Sequence, residues 1–209
     1  MGARLRGAGV LAALLLCLPL AACAPGTEPI TSGGLTRSSI DVDTPSLRSE
    51  KKEAGIAACP TSSAPALDAG LPDITLPCFG GGRDVRLSGL RGPLLVNVWG
   101  SYCAPCRTEM PILEQFHQRY GDQIGVLGID FQDAQTESAM TLATRSKVTY
   151  PLVADPQSLL AEPSTLRIRG LPTTAFVAAD GTIAHVQAFE ITSIDQLTAM
   201  VKRSLGIDL

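Results

Sequence analysis

The sequence lacks the partners that its closest pair of cysteines would need to hold a zinc ion. Cys103 and Cys106 form the only Cys-x-x-Cys motif in the 209 residues, and no His-x-x-x-His motif accompanies them. A structural zinc site completes its coordination with further Cys or His ligands. The shortage argues against a metal site and favours redox chemistry of the two thiols.

The chain also lacks a basic cluster. Its 17 Lys and Arg residues are outnumbered by 20 Asp and Glu residues, and the net charge is −3. Loss of an N-terminal leader containing Arg4 and Arg6 would make the remaining chain more acidic still. Because nucleic acids attract basic surfaces, this balance argues against a nucleic-acid partner.

Apolar runs are short even at the N-terminus, where residues 8–20 follow Arg4 and Arg6. The run is too short to span a membrane comfortably and is typical of an export signal. The small residues before Cys23 resemble the lipobox of bacterial lipoproteins, in which the cysteine is lipidated. We predict a lipoprotein signal peptide over residues 1–22, lipidation of Cys23, and an extracytoplasmic domain anchored to the cell membrane. An ordinary cleaved signal is the alternative.

The next segment has no sustained apolar period. Residues 23–57 are rich in Ser, Thr, Gly and Pro and then charged, which predicts a flexible tether. An extension that packs on the domain is the alternative, and the domain itself is predicted over residues 58–209. Disulfides persist outside the cytoplasm, so Cys59 and Cys78 are expected to form a structural disulfide. The alternative interpretation of these two cysteines is a second redox-active pair.

The order of predicted elements indicates an α/β fold. Residues 74–76 and 85–87 alternate apolar and polar side chains across three glycines, which predicts an N-terminal β-hairpin extension. A β-α-β half and then a β-β-α half follow, the order of a thioredoxin fold with a central mixed sheet flanked by helices. The strands are predicted at 94–99, 125–131, 150–154, 173–179 and 183–189, and the helices at 103–120, 136–146, 158–167 and 193–205.

The cysteine pair lies at a predicted strand-to-helix junction. Cys103 would occupy the helix N-cap, where unpaired N–H groups and the helix dipole stabilise a thiolate. Cys103 is therefore predicted to attack, and Cys106, one turn deeper, to resolve the mixed disulfide. Glu109 lies three residues further along the same face and could take a proton from Cys106. A solvated helix charge is the plainer interpretation of Glu109.

Pro172 is unusual at the start of a predicted buried strand, because it gives no N–H to the ladder. A cis peptide bond is one physical reason to place proline there. Facing the cysteines, it would leave the backbone of Leu171 free to pair with an incoming polypeptide. A trans proline that merely begins the strand is the alternative.

Together these motifs resemble the TlpA/ResA branch of the thioredoxin superfamily. The pattern is Trp99-x-x-x-Cys103-x-Pro-Cys106-x-x-Glu109, followed by the segment 170–174 around Pro172. The resemblance implies an extracytoplasmic thiol–disulfide oxidoreductase of the reducing type, active in cytochrome c maturation or other disulfide exchange. It also supports Glu109 as an active-site residue.

A protein of this kind needs no bound cofactor, because the electrons reside in the disulfide. Expected partners are exported proteins or apocytochrome c as disulfide substrates, and a membrane redox protein that supplies or accepts electrons. Leu171 and Thr173 are expected to dock the partner chain beside Pro172, and Trp99 and Tyr102 to wall the site.

The same residues bear on three other functions. A non-catalytic binding module would keep Cys103–Cys106 as a stable bridge, and a copper chaperone would depend on His185. A copper protein of this fold spaces its cysteines by three residues rather than two, which disfavours the second. A peroxidase would need a Pro-x-x-x-Thr-x-x-Cys segment that the residues before Cys103 do not supply.

Overall fold

The computed structural model describes residues 40–162 and 165–209. The predicted signal peptide, the lipidation site Cys23 and residues 23–39 of the predicted tether lie outside these residues. None of the helices within the two described ranges is both long and apolar enough to cross a membrane.

A five-stranded mixed sheet forms the centre of the described chain, with strands in the order β5-β4-β3-β6-β7. Strands β3, β4 and β5 are parallel, whereas β6 runs antiparallel to both β3 and β7. The strands are β1 Thr75–Leu76, β2 Val85–Arg86, β3 Leu94–Trp99, β4 Gly125–Phe131, β5 Leu152–Asp155, β6 Thr173–Val177 and β7 Ile183–Gln187, and the helices are α1 Pro45–Ala54, α2 Ala104–Tyr120, α3 Thr136–Arg145 and α4 Ile194–Leu205.

Strand β3 is buried along its whole length because both faces of the sheet are covered. Alternate side chains enter two separate apolar clusters. Leu95 and Trp99 pack with residues of α2 and α4, whereas Val96 and Val98 pack with residues of the hairpin β1–β2. The predicted thioredoxin-like α/β fold, its mixed sheet and its N-terminal hairpin are confirmed.

One predicted helix is wrong. Among the described residues of the span 158–167, the helical part is a short 3-10 helix, Leu159–Ala161, in place of the expected α-helix. Ser158 adopts a left-handed conformation with φ of 61°, and Pro163 follows within the predicted span. Both features oppose a continuous helix, since non-glycine residues rarely tolerate positive φ and proline removes a backbone bond.

The prediction of a flexible tether is also wrong for its last third. Residues 45–54 form α1, which begins at the N-cap Thr44 and ends at Gly55. Leu47 is fully buried in the main apolar cluster, and α1 packs against α3. The charged run that suggested solvation belongs to this helix, and one of its residues, Lys51, is itself buried, so the folded part begins well before residue 58.

Cys59 and Cys78 are joined by a disulfide with a Cα–Cα separation of 5.9 Å. Cys78 also forms a β-bridge with Val153 of the edge strand β5. The disulfide therefore connects the segment after α1 to the edge of the central sheet.

Candidate active site

The second disulfide lies where the buried strand β3 passes into α2. Cys103 is the N-cap of α2, and its Sγ accepts a hydrogen bond from the backbone N–H of Cys106 at 3.2 Å. Cys103 and Cys106 are bonded to each other, with Cα atoms 5.3 Å apart. A sulfur at this position faces unpaired N–H groups and the positive end of the helix dipole, which favour a thiolate once the bond is reduced.

The two sulfurs differ in access. Cys103 keeps 7% of its surface exposed, whereas Cys106 is completely buried. An incoming thiol or disulfide can therefore reach only Cys103. This difference in access is what the predicted order requires, with Cys103 as the attacking sulfur and Cys106 as the resolving one.

Glu109 lies three residues beyond Cys106 on α2 and is buried, with only 1% of its surface exposed. Its carboxylate accepts hydrogen bonds from Asn97 Nδ2 at 2.7 Å and from the backbone N–H of Ile191 at 3.0 Å. Burial raises the pKa of Glu109 to about 7, against the opposing effect of these two donors. A carboxyl with this pKa can both take and give a proton near neutral pH.

Two residues that hold Glu109 were not among the predicted site residues. Asn97 Nδ2 also donates to Thr174 Oγ1 at 2.9 Å, so one amide links α2 to β3 and β6. The signal in the sequence was Asn97 itself, a polar side chain within the apolar run of β3. A buried polar residue in such a strand requires hydrogen-bond partners, which nearby predicted elements must provide.

Two further acidic residues lie near the turn before Cys103. Asp133 accepts a hydrogen bond from the backbone N–H of Ser101 at 2.6 Å. Asp130, the register partner of Trp99, is buried, and burial together with the charge of Asp133 raises the pKa of Asp130 well above its ordinary value. Neither aspartate was among the predicted site residues, although Asp130 lies near the carboxyl end of the predicted strand 125–131 and Asp133 lies just beyond it.

A groove of about 480 Å³ opens beside Cys103, and Tyr102, Phe131, Gly170 and Leu171 contribute to its lining. Tyr102 is half exposed, and its hydroxyl donates to the carbonyl of Phe131 at 3.0 Å. The Leu171–Pro172 peptide bond is cis. The structure thus brings the predicted docking residues Tyr102 and Leu171 to the accessible cysteine.

Two predicted docking side chains do not reach the surface. Trp99 is fully buried, and Thr173 is 1% exposed with its hydroxyl donating to the carbonyl of Gly170 at 2.7 Å. Neither side chain is therefore exposed to a docked chain, and a role for either residue in docking stays a prediction. An exposed aromatic side chain that the prediction missed is Phe189, which is 77% exposed and precedes Glu190, a contact of Thr108 on α2.

His185, the residue on which a copper site would depend, is an exposed residue of the edge strand β7. Its ring packs against Phe176, with centroids 5.6 Å apart. This contact accounts for its position without a bound ion.

Comparison with known proteins gives a consistent result. The model of the AhpC/TSA family matches residues 68–186. The thioredoxin-like protein YneN of Bacillus subtilis is 25% identical over 58% of this chain and 71% of its own length. The thiol-disulfide oxidoreductase ResA of Geobacillus kaustophilus is 28% identical over 64% of this chain and 75% of its own.

Solved structures agree with these relatives. A thiol:disulfide interchange protein DsbE from Chlorobium tepidum, described as putative, superposes with a TM-score of 0.55 at 25% identity, covering 69% of this chain and all of the other. A secreted thiol-disulfide isomerase from Corynebacterium glutamicum gives a TM-score of 0.52 at 28% identity, covering 65% of this chain and 83% of the other.

Proposed function

The chain belongs to the AhpC/TSA family, and from that premise we propose that it is an extracytoplasmic, membrane-anchored reductant of protein disulfides. Its chemical class is that of a thiol–disulfide oxidoreductase of the ResA and DsbE type. The observation that carries the proposal is the unequal access of the two sulfurs at the start of α2, with Cys103 reachable and Cys106 sealed.

The exchange follows from this arrangement in two steps. The Cys103 thiolate attacks one sulfur of a substrate disulfide, forms a mixed disulfide and releases the first substrate thiolate. Cys106 then attacks the Cys103 sulfur, which releases the second substrate thiolate and restores the Cys103–Cys106 bond. Two electrons pass to the substrate, and a membrane redox partner must return them to the pair.

Glu109 is proposed to take the proton of Cys106 before the second step. It lies three residues beyond Cys106 on the same face of α2, and its raised pKa lets it accept a proton near neutral pH. The hydrogen bonds from Asn97 and Ile191 would hold the carboxylate in place after the transfer.

The acidic surroundings support the reducing direction. Strong oxidants of this chemistry owe their potential to a stabilised thiolate in the reduced form. Here Asp133 accepts the backbone N–H of Ser101 in the turn before Cys103, and its negative charge opposes that stabilisation. A site of this character gives up its electrons readily, which suits exported proteins or apocytochrome c as substrates.

The docking surface is proposed to be the groove beside Cys103. Tyr102 and Leu171 offer apolar contact at its lining, and the backbone before Pro172 offers hydrogen bonds to an extended chain. Anchoring through lipidated Cys23 would keep the domain near a membrane redox partner.

The reduction potential of Cys103–Cys106 tests the proposal. The chain from residue 24 onward is equilibrated with dithiol buffers, and the fluorescence of Trp99 reports the pair, since Trp99 and both cysteines share one buried cluster. A midpoint near about −270 mV supports a reductant, and one near about −120 mV contradicts it in favour of a disulfide donor. The absence of any transition would instead identify a binding module with a structural disulfide.

A further inference from the structure

The disulfide between Cys59 and Cys78 lies beside a buried lysine that its structural role does not require. Lys51 of α1 is only 7% exposed, and its Nζ lies 3.0 Å from Cys78 Sγ and 2.8 Å from the carbonyl oxygen of Gly81. A lysine is almost never this deeply buried without a partner. The ammonium group is thus held against one particular sulfur.

The loop around this lysine is shaped to receive it. Gly80 and Gly81 have positive φ values of 69° and 87°, which place the Gly81 carbonyl toward Lys51. A Cβ at Gly80 would lie 2.9 Å from the Leu47 carbonyl oxygen and 3.0 Å from the Cβ of Lys51. Helix α1 therefore approaches the loop as closely as a backbone without side chains permits.

The other sulfur has the opposite surroundings. Cys59 is partly exposed, and its Sγ lies 3.1 Å from the carbonyl oxygen of Leu152. In the disulfide this sulfur has no proton to donate, whereas after reduction its S–H could donate to that oxygen. The carbonyl thus favours a protonated thiol at Cys59, and the ammonium favours a thiolate at Cys78.

We propose that Cys59 and Cys78 form a second, reducible thiol pair that takes electrons from dithiols, with Cys59 as the attacked sulfur and Cys78 as the leaving thiolate paired with Lys51. The inference is independent of the exchange proposed at Cys103. It assigns a redox function to a disulfide whose position alone suggests a structural staple.

The reaction balances with a dithiol as the reductant. A thiolate of the dithiol attacks Cys59 Sγ, the Cys59–Cys78 bond breaks, and Cys78 leaves as a thiolate beside the Lys51 ammonium. The second thiol of the reductant then loses its proton and attacks the reductant's first sulfur, which is bonded to Cys59 in the mixed disulfide. This releases Cys59, which takes up a proton. The dithiol is oxidised to a disulfide, and the protein gains two electrons and one proton.

Burial supports this division of roles. In the disulfide form the pKa of Lys51 is lowered by burial, partly offset by the charge of Asp43. A thiolate at Cys78 supplies the missing counter-charge within contact distance, so reduction and full charging of Lys51 favour each other.

The rate of reduction by dithiothreitol tests the role of Lys51 in the full chain. Each disulfide is followed separately by quenching with an alkylating agent, proteolysis and peptide mass spectrometry. Lys51→Met should slow reduction of Cys59–Cys78 by about tenfold or more, because a poorly stabilised thiol leaves more slowly. Lys52→Met, the adjacent exposed lysine of the same helix, should leave the rate unchanged.

The Cys103–Cys106 pair is an internal control in the same samples, and its rate should be the same in all three proteins. An equal rate for Cys59–Cys78 in Lys51→Met and Lys52→Met would overturn the proposal. A faster rate in Lys51→Met would overturn it too, since the lysine would then merely cover the disulfide.

A monothiol identifies the attacked sulfur without any substitution. Glutathione should leave its adduct on Cys59, the sulfur opposite the one that Lys51 stabilises as a leaving group. An adduct found on Cys78 would contradict the assignment, whatever the effect of Lys51→Met.

Discussion

Cys103–Cys106 and Cys59–Cys78 each combine a sulfur that solvent can reach with one that is buried, but the charged groups beside them differ in sign. On the helix of the first pair, one turn beyond Cys106, lies the buried carboxyl of Glu109, with a pKa raised to about 7. Beside the second lies the ammonium of Lys51, 3.0 Å from Cys78 Sγ. Backbone N–H groups at a helix start stabilise a thiolate at Cys103, whereas a side chain brought by a separate helix does so at Cys78.

This difference has a chemical consequence. A buried carboxyl can exchange a proton with a neighbouring thiol, which suits repeated turnover. A buried ammonium stabilises one thiolate and has no site to accept a further proton, which suits a pair that changes state and then remains there. The comparison predicts separate responses of the two pairs to substitution.

The largest expected effect follows from removal of the accessible sulfur. Cys103→Ser should lower the rate of disulfide exchange with a peptide substrate by at least about a thousandfold, because the attacking nucleophile is lost. Cys59→Ser is the matched control and should retain exchange at the α2 site. Exchange at the wild-type rate in Cys103→Ser would refute the assignment of the nucleophile.

For the free energy of unfolding, in contrast to the exchange rate, the larger effect should come from loss of Cys59–Cys78. Cys59 and Cys78 are 19 residues apart, and Cys103 and Cys106 are three apart. In the chain-entropy description, replacing the first pair by serines should lower the free energy of unfolding by about 3 kcal/mol, and replacing the second by less than about 2 kcal/mol. Urea denaturation measures both. A larger loss for the second pair would show that packing at α2, rather than loop closure, dominates.

The charge beside the first pair can be tested by pH. Because the pKa of Glu109 is raised from 4.5 to about 7, the native protein binds more protons than the unfolded chain between these values. The contribution of Glu109 to the free energy of unfolding should therefore fall by roughly 3 kcal/mol as pH rises through this window and change no further above it.

Glu109→Gln should remove the contribution of Glu109 and so reduce that slope, and the exchange rate should also lose its inflection near pH 7. Denaturation and rate profiles from pH 4 to 9 report the two effects separately. A slope of unchanged size in Glu109→Gln would assign the titration to other buried acids such as Asp130.

Much of the fold could be predicted because its strands carry distinct patterns. The boundaries of β3 and β4 are those expected from their apolar runs, and the N-cap position of Cys103 follows from the strand-to-helix junction. Helix α1 was missed because its apolar side is narrow, with Leu47 among mostly charged neighbours. A helix that covers little apolar surface leaves little periodicity to detect.

The surroundings of the site were harder to predict than its cysteines. Glu109 could be placed on the face of Cys106 from spacing alone, but its partners Asn97, Thr174 and Ile191 come from distant parts of the chain. The same holds for Lys51 and Cys78, 27 residues apart. Local sequence places residues on an element, whereas contacts between elements depend on how those elements pack.

The smallest expected effect concerns the turn in front of Cys103. Tyr102 is half exposed, and its hydroxyl ties this turn to the carbonyl of Phe131 at the end of β4. Tyr102→Phe keeps the ring in the groove but removes that hydrogen bond, which should lower the free energy of unfolding by about 1 kcal/mol. Exchange at Cys103 should slow by a few-fold at most, while reduction of Cys59–Cys78 stays unchanged, because Tyr102 acts on only one of the two pairs. If Tyr102→Phe altered both rates equally, the two disulfides would share one cooperative unit, and the contrast in their local charges would not govern their chemistry.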